Sequence, residues 1–98
     1  LQAGTDLTTF TKLSNLDLRP APNPASTKVN ISVEGLDEKG GVLSAFDAQG
    51  RLAWQQKIPA QQTTVEWDFS KENIAQGMYF VTLRSEGKIA VKRLVVQQ

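Results

Sequence analysis

The sequence predicts an all-β protein, an immunoglobulin-like antiparallel β-sandwich of about seven strands. Three observations carry that expectation. Apolar residues recur at every second position in stretch after stretch, the period of a half-buried strand. Turn chemistry separates those stretches roughly every 8–12 residues, the spacing of short strands in a sandwich. Finally, no segment sustains the 3.6-residue apolar period of a helix, so helical content should be close to nil.

The elements follow in order. Residues 1–19 are read as a linker to an attached protein, ending in a first strand near Asn15–Leu18; threonines 5, 8, 9 and 11 argue against a helix there despite the scattered leucines. Pro20, Pro22 and Pro24 then give a stiff, extended entry that joins no central ladder. Thr27–Val33 alternates, with Val29, Ile31 and Val33 on one face. Val42–Asp47 follows, Leu43 and Ala45 inward and Phe46 opposite, and it runs into an Asp47–Gly50 turn. Arg51–Ile58 places Leu52, Trp54 and Ile58 on one side and stops at Pro59. Thr63–Phe69 points Val65, Trp67 and Phe69 inward. The link Ser70–Gly77 is one turn with Ile74 tucked down as a plug. Met78–Arg84 turns Tyr79, Val81 and Leu83 to the core, and a three-residue loop, Ser85–Gly87, returns the chain. In Lys88–Val96 the apolar parity changes between Ile89/Val91 and Leu94/Val96, which predicts a bulge or face switch near Lys92.

Ninety-eight residues make one domain, placed here at 20–98. The sequence holds no cysteine and no histidine, so thiolate nucleophiles, disulfides, imidazole bases and His or Cys metal sites are excluded. No cofactor and no enzymatic activity are expected. Eleven basic against ten acidic residues is too balanced for nucleic-acid binding, which draws on a basic stripe. Locally, Arg84, Lys88, Lys92 and Arg93 face a single anion, Glu86, a pattern that also suits strands kept soluble by lysine. No apolar run reaches the roughly 18 residues of a membrane span. Leu1 opens onto a polar stretch with no secretory leader, which reads as a fragment of a larger protein.

Most candidate chemistry dissolves on inspection. Glu66 and Asp68 share a strand face at a spacing that suits paired carboxylates, yet nothing near them suggests a cleft. Asp47 and Gly50 lack the alternating oxygen ligands of a calcium loop. Asn30-Ile31-Ser32 matches a glycosylation acceptor but lies inside a strand. Trp54, Trp67 and Tyr79 would make a stacking platform for sugar rings if exposed; each falls on the parity of its strand's aliphatics and is expected in the core.

The ordered set Pro22–Ser26 (PNPAS), Phe46–Leu52 (FDAQGRL) and Gly77–Val96 (GMYFVTLRSEGKIAVKRLVV) resembles the type A C-terminal sorting domain of the type IX secretion system of the Bacteroidota. The resemblance spans about Pro20 to Gln98, with Ala21 and Ala53 as departures from the usual residues. It implies a non-catalytic export signal. An attached N-terminal cargo reaches the periplasm, is recognised by the outer-membrane translocon and a shuttle barrel, and is delivered to the surface or secreted. There a surface sortase removes the domain. Neither nucleic acid nor a small-molecule substrate is implied. Carried onto this sequence, translocon recognition falls on Gly77, Tyr79, Gly87, Lys88, Lys92, Arg93, Leu94, Val95 and Val96. Cleavage is expected in the front segment around Ala3, Gly4 and Thr5, where side chains are small. A terminal strand with a free edge also suggests recognition by β-augmentation. The rival reading is a carbohydrate-binding or adhesive β-sandwich module of a secreted protein, which requires exposed aromatics.

Overall fold

A computed structural model describes residues 16–97. Seven strands run as β1 (Asp17–Ala21), β2 (Lys28–Glu34), β3 (Gly41–Asp47), β4 (Leu52–Ile58), β5 (Thr64–Asp68), β6 (Gly77–Ser85) and β7 (Lys88–Val96). All pairings between these strands are antiparallel, in a three-stranded sheet ordered β1-β2-β5 and a four-stranded sheet ordered β4-β3-β6-β7. The expected sandwich is therefore the observed architecture, and among the described residues the helical contribution is one 3-10 turn at Phe69–Lys71.

The alternating residues meet between the sheets. Val29, Ile31, Val65 and Trp67 from one sheet face Leu43, Ala45, Val81, Leu83 and Leu94 from the other, all with almost no exposure. Burying each large side chain contributes about 2–3 kcal/mol, which a domain of this size needs. Trp67 organises the aromatic centre: Trp54 stacks on it at 5.0 Å, while Phe69 and Tyr79 present edges at 4.9 and 5.9 Å. Such pairs add to area burial. Trp67 and Tyr79 are thus core, as expected, and Trp54 packs half-buried against them. Ile74 is buried as a plug over the same end.

Four local expectations change. First, β1 (Asp17–Ala21) runs on past the expected end at Leu18, so Pro20 sits in an edge ladder, opposite Ile31. An edge strand accommodates that, because an outward-facing position needs no amide donor. Second, Leu52 does not share a side with Trp54 and Ile58; it is 53% exposed. The register slips at Ala45/Phe46, where Ala45 pairs with Trp54 and Phe46 with Leu52, so Ala53 is an extra residue that reverses the parity. Third, β7 has no bulge near Lys92. Its pairing with β6 is unbroken from Gly77–Val96 to Ser85–Lys88, which leaves Ile89 and Val91 outside, 57% and 50% exposed. Fourth, the β6–β7 loop has two residues, not three. Ser85 pairs with Lys88, and both Glu86 (φ 50°) and Gly87 (φ 77°) take positive φ, as a type I′ turn requires.

Candidate recognition surface on the closing hairpin

The β6–β7 hairpin is fastened at its turn and at its far end. At the turn, Ser85 is buried; its hydroxyl accepts from the Asp37 amide (3.0 Å) and donates to the Gly40 carbonyl (2.8 Å), holding the β2–β3 loop against the hairpin. At the far end, Tyr79 donates its phenolic hydrogen to the Ala75 carbonyl at 2.6 Å. Burial, followed by the nearby Asp47 charge, pushes the Tyr79 hydroxyl above its ordinary pKa. Tyr79 is therefore an anchor, like the corner tyrosines of immunoglobulin-type sandwiches.

The outer edge of β7 is partly sealed by the proline-rich entry. Asn23 imitates a strand: its Nδ2 donates to the Arg93 carbonyl (2.9 Å) and its Oδ1 accepts from the Val95 amide (3.0 Å). Ala25 continues the pairing, its amide donating to the Val95 carbonyl and its carbonyl accepting from the Gln97 amide, both at 2.8 Å. Edge addition by a partner is therefore blocked from Arg93 to Gln97. Just before this stretch, Lys92 points to β1, where its Nζ donates to Asp17 Oδ1 and to the Leu18 carbonyl, each at 3.0 Å. That hydrogen bond is the main reason the Asp17 carboxyl lies below the usual carboxylate range. Lys92 thus clasps the two sheets together.

The two outward faces differ in kind. On the three-stranded sheet the paired outer residues are Asp17 with Glu34, Arg19 with Ser32, Asn30 with Glu66 and Lys28 with Asp68. Apart from Ala21, which pairs with Asn30, that face is polar. On the four-stranded sheet, one row runs Leu52, Phe46, Phe80, Arg93 and another Lys57, Val42, Arg84, Ile89. Between them lie Ser44, Thr82 and Val91, with Met78 and Val95 beyond. Met78 and Phe80 are 40% and 39% exposed. Small Ser44 and Thr82 between bulkier neighbours leave a trough of about 410 Å³, lined by Val42, Phe46, Lys57 and Arg84 among others.

The other candidates are turns and caps. Asp47 accepts from the Gln49 and Arg51 amides and from Arg51 Nε, each at 2.9 Å, and Gly50 takes φ 86°. The Asp-x-x-Gly-Arg pattern is thus a closed turn. Asp68 caps the 3-10 turn by accepting from the Ser70 amide and hydroxyl, which hold its pKa down, the opposite of a catalytic acid. Among the described residues no cluster of acidic side chains could hold a metal ion.

Of the expected recognition residues, Tyr79, Leu94 and Val96 are buried, Gly77 and Gly87 serve the backbone at positive φ, and Lys92 is the clasp. Lys88 is half-buried beside the turn, while Arg93 and Val95 share the outer face. Ala3, Gly4 and Thr5 lie outside the described residues. Sequence reasoning missed Asn23 as an edge seal, since a side chain standing in for a strand leaves no periodic signal. It also missed Phe80, Ile89 and Val91 as surface, although the parity change in β7 was the signal.

The family described as the secretion system C-terminal sorting domain matches residues 21–97. No curated protein matches the chain. Among solved structures, the chain is similar to part of PorZ, described as an essential bacterial surface component of the type IX secretion system of Porphyromonas gingivalis. The TM-score is 0.67 at 25% identity, covering 90% of this chain and 12% of that one. The chain therefore spans about an eighth of the length of that structure, a domain-sized portion of it. With the matched segment running from the proline entry through the closing hairpin, the chain belongs to the secretion-system C-terminal sorting domain family.

Proposed function

We propose that this domain is the export signal of a cargo protein attached at its N-terminal side, and that it directs the cargo across the outer membrane by the type IX system. The observation that carries this reading is the family match over residues 21–97, which takes in the entry, the Asp47 turn and the hairpin as one unit. The likeness to part of a surface component of that system supports it. The domain contributes no chemistry of its own: it is a folded label. The outer-membrane translocon and shuttle barrel read the closing hairpin after periplasmic transit, and a surface sortase then removes the domain within the front segment around Ala3–Thr5.

The test is a fusion of residues 1–98 to a periplasmic reporter in a host that has this secretion system. Surface or extracellular reporter is the expected result, and N-terminal sequencing of the released domain locates the cut. A reporter that stays in the periplasm beside a folded domain would overturn the proposal.

A further inference from the structure

Resting on that reading, we infer that the export machinery reads the outward face of the four-stranded sheet, through a protein partner that presents a protruding apolar side chain flanked by carboxylates. Three features of the face support this. Its apolar residues are contiguous across four strands: Leu52, Phe46 and Phe80 in one row, Val91 in the next and Ile89 in the last. Contiguous apolar surface on a small domain marks an interaction site, whereas scattered exposed residues do not. The opposite face offers none.

Charge gives the second argument. Arg93, Arg84 and Lys57 sit in these rows without a carboxylate, and none of the three makes an ion pair among the described residues. The other face mixes both signs, as in the Lys28–Glu66 pair at 4.0 Å. Unneutralised cations around an apolar centre are complementary to an apolar contact with an acidic rim, which steers encounter and sets specificity.

Shape gives the third. The trough over Ser44 and Thr82, walled by Phe46 on one side and Lys57 and Arg84 on the other, is concave. A protruding side chain fits it, whereas a flat bilayer surface does not enter it. Edge pairing along β7 is unavailable beyond Arg93, because Asn23 and Ala25 occupy those groups. On the face, by contrast, Leu52, Phe80, Ile89 and Val91 are all exposed.

The experiment uses the reporter fusion with two variants of the face. Ile89→Thr with Val91→Thr removes apolar surface while keeping β-branched side chains in the strand. Arg84→Glu with Arg93→Glu reverses the charge. Each is expected to hold the reporter in the periplasm with the thermal melt of the purified chain unchanged. Asn30→Lys on the opposite face, facing Glu66 across the sheet, is expected to export normally. If the unaltered fusion is not exported, the export reading fails. If it is exported and the folded face variants are exported equally well, this inference fails while the export reading stands. Should the threonine pair not fold, the arginine pair decides. Two other occupants are tested on purified chain: a second copy, by sedimentation against concentration, and lipid, by flotation with phosphatidylglycerol-containing vesicles. Either association, abolished by variants that still export, would overturn the inference.

Discussion

Asn23 shows how much one side chain decides. With one donor and one acceptor it closes two backbone groups on an edge strand that would otherwise invite pairing. Asn23→Ala is expected to cost about 1 kcal/mol and to accelerate hydrogen exchange at the Val95 amide while the β6-paired amides stay protected. Unchanged exchange at Val95 would show that the seal does not hold the edge in solution. Gly50 acts through the backbone instead. Its φ of 86° is one that a Cβ penalises, and no atom lies within contact of an added Cβ, so Gly50→Ala isolates the conformational cost. A loss of about 1 kcal/mol in urea unfolding is expected.

At the scale of the element, β7 divides its labour by parity. Leu94 and Val96 face inward and are fully buried, while Ile89, Val91, Arg93 and Val95 face outward. Leu94→Ala is therefore a core truncation, expected to destabilise by about 2–5 kcal/mol. Any export defect it causes should track the fraction folded and recover at lower temperature. A Leu94→Ala domain that melts normally yet fails to export would instead place Leu94 in the contact. The same division separates the two neighbouring cations. Arg93→Glu tests the surface, whereas Lys92→Glu puts a carboxylate beside Asp17 and breaks the clasp between β1 and β7.

At the scale of the whole molecule, stability and charge are linked through three carboxyls that, among the described residues, are held below the ordinary range. For Asp17 the leading cause is the Lys92 hydrogen bond, for Asp47 the Arg51 amide, and for Asp68 the Ser70 hydroxyl. A lowered folded-state pKa stabilises the native form above the ordinary carboxyl value. That contribution is lost as pH falls from the ordinary value through the lowered ones. The domain should therefore melt at a constant temperature from neutral pH down to the carboxylate range and lose stability below it. Asp17→Asn should flatten part of that acid limb, and an identical limb in the variant would remove the clasp from the account. With no histidine in the sequence, no imidazole step should appear on the way down.

The sequence by itself determined the all-β class, the inward parity of β2, β3, β5 and β6, the core place of Trp67 and Tyr79, and the ordered motifs that carry the family resemblance. These are local properties: period, turn residues and spacing are written residue by residue. Only the tertiary structure decided that Leu52 turns outward, because a bulge is a relation between strands. Likewise it decided that Ile89 and Val91 form a face rather than a kink, because the register of β7 is fixed by β6 along its whole length. It also made Lys92 a clasp between the sheets and Asn23, expected only as part of an extended entry, an edge seal. Both roles join residues seventy or more positions apart, and no local pattern encodes which of them will meet.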